Sequence, residues 1–113
     1  MKTYPDNPTL PELQRYIQAK CQERGFDGAS NLETFLLFSE EIGEMAKAMR
    51  NCQGLFQETN TKAANDKDKA HANLAEEMSD VLSYLLDLAN RYEVDLDEAF
   101  RLKEARNDRR SWH

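Results

Sequence analysis

The 113-residue sequence is poor in the side chains that most often hold transition metals or disulfides, with two cysteines, Cys21 and Cys52, and two histidines, His71 and His113. The cysteines form no CxxC pair, which leaves neither a zinc-ribbon pattern nor a disulfide framework. Both are expected to be reduced, Cys21 in the core. Neither histidine completes a Glu-x-x-His pair, so the pattern of a di-iron carboxylate bundle is missing, and His71 reads as a surface or helix-start residue. Long apolar runs are absent too. None approaches the roughly 20 residues that cross a bilayer, and the opening MKTYPDNPTLPE lacks the apolar centre of a signal peptide. The expectation is a cytoplasmic protein with no membrane partner. Bases are outnumbered, 15 lysines and arginines against 21 acids, for a net charge of -6. That balance disfavours a nucleic-acid backbone as partner. An anionic small molecule stays open, because metal ions can mediate the contact.

What is present is helical periodicity. Residues 1–8 contain Pro5 and Pro8 and no period, and are expected to be an extended lead-in. Thr9 and Glu12 make a capping box, and Leu10, Leu13, Ile17 and Cys21 follow at helical spacing, which predicts a first helix to about Arg24. Gly25 and Gly28 bracket a short turn in which Phe26 is either a loop aromatic over the core or a ligand contact. Ser30 and Glu33 make a second capping box, opening a helix with Leu32, Phe35, Leu36, Ile42, Met45, Ala46 and Met49 on a broad apolar face. Gly43, in mid-helix, costs about 1 kcal/mol against alanine and predicts a close neighbour there, a helix or a phosphate.

Residues 51–69 have mixed polar composition and little period, and are expected to be a long loop or a frayed helix end tacked down by Leu55 and Phe56. A third helix over about 70–92 carries Leu74, Met78, Val81, Leu82, Leu85, Leu86 and Ala89. It is the most apolar and so the central one. Asp95 with Glu98 caps a fourth. The fold class is therefore all-α, a single domain of four helices forming a bundle over residues 1–113. Small helical domains bury limited area alone, so assembly into an oligomer is expected.

Two stretches repeat one acidic spacing. In EEIGEM, residues 40–45, and EEMSDVLSYLLDLA, residues 76–89, two adjacent carboxylates are followed by a third: Glu40, Glu41 and Glu44, then Glu76, Glu77 and Asp80. Residues three and four apart share a helix face, so each copy is a carboxylate cluster one turn long. One such cluster is ordinarily a solvated surface. The second copy repeats the spacing, keeps a small residue at the same place (Gly43 and Ser79) and is flanked by apolar residues; Leu37 and Ala48 stand beside Glu41 and Glu44, and Tyr84 beside Asp80, so the acids interrupt packing faces. If the two helices pack, Glu41, Glu44, Glu77 and Asp80 come within about 5 to 8 Å of one another, and each like-charge pair costs roughly 2 to 3 kcal/mol at an effective dielectric near 20. Protonation or a bound cation must relieve that. All-carboxylate ligation points to a hard ion, Mg²⁺ or Mn²⁺.

The fourth helix adds a second feature. Its stripe starts with Leu96 and Phe100 and continues as Lys103, Asn107 and Arg110. A line that begins in the core ends in polar groups that either reach an anion or emerge into solvent with bases favoured by the helix dipole. Carboxylates holding two or more Mg²⁺ ions beside such a set suit nucleotide phosphates and hydrolysis of a pyrophosphate bond.

EEIGEM, EEMSDVLSYLLDLA and VDLDEAFRLKEARNDRR, in that order, resemble the motifs of the all-α nucleoside triphosphate pyrophosphohydrolases of the MazG type, within it the dCTP pyrophosphatase branch. The family pattern is ExxE on one helix, ExxD on the next and Lys-x-x-x-Asn on the last. ERGFD, residues 23–27, resembles that branch's segment ahead of the first acidic helix, with Phe26 where the branch tends to carry tryptophan. The resemblance implies cleavage of a (d)NTP, with dCTP or a modified dCTP first, between its α and β phosphates, giving a monophosphate and pyrophosphate for nucleotide-pool housecleaning. It implies that Glu41, Glu44, Glu77 and Asp80 bind Mg²⁺, that Lys103, Asn107 and Arg110 bind phosphate or sugar, and that Tyr84 lies beside the nucleotide. It also implies a water activated by metal, oriented or deprotonated by Glu40 or Glu76. A homotetramer is expected, a dimer next. The alternatives are dUTP or phosphoribosyl-ATP as substrate, and a non-catalytic acidic helical module that meets a basic partner.

Overall fold

The computed structural model describes residues 3–54 and 67–110. Among them are four α-helices and one 3₁₀ turn, with no strand: α1, Leu10–Glu23; the turn, Phe26–Gly28; α2, Asn31–Gln53; α3, Lys67–Arg91; and α4, Leu96–Asp108. No described helix is long and apolar enough to cross a membrane. The all-α expectation and the four-helix order hold. The segment expected as a loop over 51–69 is shorter at both flanks, because α2 continues to Gln53 before Gly54 closes it at φ 66° and α3 begins at Lys67. The remainder of that segment, with Leu55 and Phe56, lies outside the described residues.

Both expected capping boxes form. The Thr9 hydroxyl accepts from the Glu12 amide at 3.3 Å while the Glu12 carboxylate accepts from the Thr9 amide at 3.1 Å. Ser30 and Glu33 repeat the exchange at 3.0 Å each way. Asp95 accepts from the Glu98 amide at 3.1 Å. Each pair satisfies amides that a helix start would otherwise leave open.

The chain divides into two compact units, one made of the chain up to Ala29 with the chain from Leu86 onward, the other of Ser30–Leu85. In the first unit, α3 ends in a Schellman-type close in which the Val94 amide donates to Ala89 O at 2.8 Å and the Glu93 amide to Asn90 O at 3.2 Å. The left-handed position is occupied by Glu93, φ 55°, rather than by glycine, which costs about 1 kcal/mol or more. Gln14 of α1 stabilises this turn. Buried in the stripe of α1, it donates to Val94 O at 2.9 Å and to the Asn90 side chain at 3.2 Å, and it accepts from the Leu96 amide at 2.9 Å. Asn90 returns a bond to Gln14 O at 2.9 Å. One buried amide thereby joins α1, the end of α3 and the start of α4. Leu86 and Ala89 are the buried apolar residues described in this unit.

In the second unit the buried residues are Thr34, Ala48 and Ala70. The apolar face assigned to α2 is not buried within the chain: Leu32 is 68% exposed, Leu36 58% and Phe35 52%. On α3, Met78, Leu82 and Leu85 are also exposed, and only the C-terminal part of the stripe, Leu86 and Ala89, is enclosed. Phe100, expected in the core, is 66% exposed. At Gly43 a Cβ would meet nothing within 4 Å, so among the described residues no helix is the close neighbour expected there.

Candidate metal centre

The doubled acidic spacing resolves into a cluster carried by two helices. Glu41 sits in the middle of α2, and Glu77 and Asp80, one turn apart, sit in the middle of α3; one carboxylate oxygen from each lies within 4.8 Å of the other two. Glu41 and Glu77 are half-buried and Asp80 is exposed. All three belong to the Ser30–Leu85 unit. The i, i+3 spacing places Glu77 and Asp80 together.

The electrostatics follow from that spacing. Burial pushes the Glu41 carboxyl above its usual range, the charge of Asp80 adds to this, a hydrogen bond with Glu77 favours its protonated form, and Glu77 and Glu40 repel its anion further. At 4.8 Å a like-charge pair costs between about 1 kcal/mol in bulk water and about 3.5 kcal/mol at an effective dielectric of 20. A proton on Glu41 relieves part of this, and a cation relieves more.

The donors fit a hard divalent ion. They are all carboxylate oxygens, the ligands of Mg²⁺ and Ca²⁺. In an octahedron of about 2.1 Å bonds neighbouring ligands are about 3 Å apart and opposite ones about 4.2 Å, so three oxygens within 4.8 Å of one another would draw closer to share one ion. Glu41, Glu77 and Asp80 would hold the ion.

The other sequence-derived residues fall as follows. Glu44, one turn beyond Glu41 on α2, is exposed and outside the group of three, as are Glu40 and Glu76, each one residue ahead of a member of it. Tyr84 is half-buried on α3, one turn after Asp80. Lys103 is exposed and Asn107 half-buried on α4, with the Asn107 amide 3.4 Å from the Glu104 carboxylate. The stripe does not stay helical to its end: α4 stops at Asp108, and Arg110 follows in the turn, its amide donating to Asn107 O at 3.1 Å. Phe26 opens the 3₁₀ turn and is 55% exposed.

Sequence reasoning missed the group around Arg91. Its guanidinium donates from Nε to Asp87 at 3.1 Å, from Nη1 to Ala29 O at 2.6 Å and from Nη2 to Phe26 O at 2.9 Å. Asp87 also meets the Cys21 thiol, whose pKa is raised first by burial and then by the charge of Asp87. Both cysteines are free thiols. The available signal was the i, i+4 placing of Asp87 and Arg91, a pairing that reads as ordinary surface until the loop that it holds is seen.

Comparison with known proteins agrees with the geometry. The pattern of the MazG nucleotide pyrophosphohydrolase domain matches residues 29–113. Over 114 residues the chain is 32% identical to dCTP pyrophosphatase 1 of Bos taurus, an alignment that covers 96% of this chain and 62% of that protein. The chain thus spans less than two thirds of the length of the curated relative it matches.

Proposed function

This chain belongs to the MazG nucleotide pyrophosphohydrolase family, and we propose from that premise that it hydrolyses a (d)NTP to the monophosphate and pyrophosphate in a Mg²⁺-dependent reaction, with dCTP or a modified dCTP as the preferred substrate. The observation that carries the proposal is the convergence of Glu41, Glu77 and Asp80 from two helices. Three acids held that close are costly without a cation, and a nucleotide triphosphate arrives with the divalent ions that such a group binds.

Glu41, Glu77 and Asp80 bind the metal, and Glu44 joins them as a fourth ligand. A divalent ion held by these carboxylates would supply an acidified water and neutralise charge on the phosphate oxygens. Lys103, Asn107 and Arg110 bind phosphate and sugar oxygens. A lysine contributes a point charge and an asparagine a directed amide hydrogen bond. Tyr84 and Phe26 contact the nucleoside. The attacking water gives its proton to the carboxylate of Glu40 or Glu76, the acids adjacent in sequence to Glu41 and Glu77. Water adds at the α phosphorus, the bond to the bridging oxygen breaks, and pyrophosphate leaves.

The exposed apolar face of α2 supports assembly as a homotetramer, with a dimer as the smaller unit, in a cytoplasmic enzyme that removes noncanonical or surplus dNTPs. The test is pyrophosphate release from a panel of dNTPs, NTPs, modified dCTPs, dUTP and phosphoribosyl-ATP, with Mg²⁺, Mn²⁺ or EDTA. Metal-dependent release with dCTP or a modified dCTP first is expected. Release from none of them by folded, metal-loaded protein overturns the proposal in favour of a non-catalytic helical module.

A further inference from the structure

The Arg91 guanidinium uses its three nitrogens on three different groups. Nε pairs with Asp87 one turn earlier in α3, while Nη1 and Nη2 reach the carbonyls of Ala29 and Phe26, the two ends of the 3₁₀ turn. The pair is well covered, with side-chain exposures of 12% for Arg91 and 13% for Asp87. The turn is fixed in other ways too. Gly25 enters it in the left-handed region at φ 75°, its amide donates to Gln22 O at 3.2 Å, and the Ala29 amide donates to Phe26 O at 3.2 Å. Phe26 O therefore receives two hydrogen bonds, one from the backbone and one from Arg91.

The Phe26 backbone is held this firmly while the residue is 55% exposed. Ordinarily a loop aromatic is held because its ring is buried; here a charged fork fixes the main chain of a residue that is itself exposed. Packing alone does not set the fork's position. Arg91 and Asp87 border a cavity of about 120 Å³, shared with Gln18, Cys21, Gln22, Asp27 and Asn90, so hydrogen bonds decide where the guanidinium sits. A planar fork can meet two carbonyls and a carboxylate at once, which an ammonium on a flexible stem cannot do in the same geometry.

We propose that Arg91, oriented by Asp87, is a positioning residue that presents the Phe26 ring for stacking on the base of the nucleotide. This rests on the reading of the chain as a nucleotide pyrophosphohydrolase with Phe26 at the nucleoside. It adds that affinity for the base depends on a guanidinium that touches neither base nor phosphate. Asp87 holds Nε in place, Nη1 and Nη2 fix the turn, and the turn fixes the direction of the Phe26 Cα–Cβ bond.

The experiment compares two substrates: dCTP, and 2-deoxyribose 5-triphosphate, which keeps the sugar and phosphates and has no base. Wild type, Arg91→Lys, Asp87→Asn and Phe26→Ala are assayed for kcat and KM, with thermal melts to establish folding. Equilibrium binding of a non-hydrolysable α,β-imido dCTP is measured alongside. Arg91→Lys and Asp87→Asn are expected to raise KM and Kd for the dCTP species by about tenfold, the order of one lost base–aromatic stack. Turnover of the base-less triphosphate should stay within about twofold, because stacking contributes nothing to it. In a Phe26→Ala background, Arg91→Lys should cause no further loss with dCTP.

Equal losses on both substrates identify a general structural role and overturn the proposal, as does a folded Arg91→Lys and Asp87→Asn pair with wild-type KM for dCTP. If Phe26→Ala itself keeps the wild-type preference for dCTP over the base-less compound, the assignment of Phe26 fails and the positioning role with it. The reaction itself then survives. Wild type that hydrolyses neither triphosphate overturns the enzymatic reading instead.

Discussion

Glu41 on α2 and Glu77 on α3 are joined by a hydrogen bond between two acids, with Asp80 adding a third carboxylate within 4.8 Å. Two carboxyl groups can share such a bond only if one of them carries a proton. Glu41 is the group whose protonated form is favoured, through burial first and the neighbouring charges second. A proton on Glu41 relieves part of the repulsion in this cluster, and a cation bound there would displace it.

The first prediction concerns stability against pH in EDTA. Because the folded pKa of Glu41 is raised above its unfolded value, its contribution is present below the unfolded pKa of about 4.5 and is lost as pH rises through the folded pKa. Glu41→Gln has no such titration. The difference in Tm between Glu41→Gln and wild type should thus grow in favour of the variant as pH rises from about 4.5 to 7.5, read by thermal melts. A difference independent of pH would show that Glu41 does not titrate in the cluster.

The second prediction reverses the ranking when metal is added. Adding Mg²⁺ at neutral pH should raise the Tm of wild type and leave those of Glu41→Gln, Glu77→Gln and Asp80→Asn nearly unchanged. Each variant should lose at least about a hundredfold in kcat/KM, a transition-state cost of about 2.7 kcal/mol, with helical circular dichroism intact. Glu44→Gln should behave in the same way if Glu44 is the fourth ligand. Wild-type activity in Asp80→Asn would remove the metal centre from the mechanism.

Gln14 supports a prediction away from the site. Gln14→Leu keeps the size of the side chain and removes the partners of Val94 O and the Leu96 amide, at a cost of about 1–3 kcal/mol, measurable in urea denaturation. The m-value should be unchanged. A loss below about 0.5 kcal/mol would mean that water satisfies those groups.

The exposed face of α2 gives the fourth prediction. Leu36, 58% exposed on a face that also carries Leu32 and Phe35, should lie in an interface between copies of the chain, since apolar patches of this kind mark association surfaces. Leu36→Glu should lower the mass of the assembly by light scattering. An unchanged mass would place the interface elsewhere.

Helix starts and the site acids were legible in the sequence for a common reason: each depends on short-range spacing. Thr9 with Glu12, Ser30 with Glu33 and Asp95 with Glu98 are local interactions, and Glu77 with Asp80 share a face at three residues apart. What spacing could not reveal was which apolar stripe would be enclosed within one chain. Leu36 and Leu86 look alike in sequence, yet one is 58% exposed and the other 1%, because burial depends on what packs against the helix. Gln14, buried in the apolar stripe of α1, and Arg91, gripping a turn more than sixty residues away in sequence, both act through partners distant along the chain. Gly43, a costly mid-helix residue, has no described helix against it, a point that spacing alone could not decide.

Attack of water on the α phosphorus of a nucleotide, dependent on the Glu41–Glu77–Asp80 centre, leaves an isotopic signature in the products. Hydrolysis of dCTP in ¹⁸O-water with Mg²⁺, analysed by mass spectrometry for wild type and Asp80→Asn, tests it most directly. Wild type should form dCMP carrying one ¹⁸O and unlabelled pyrophosphate, a reaction abolished by EDTA and nearly absent with Asp80→Asn. Label in the pyrophosphate, formation of dCDP and orthophosphate, or equal turnover by Asp80→Asn would contradict it.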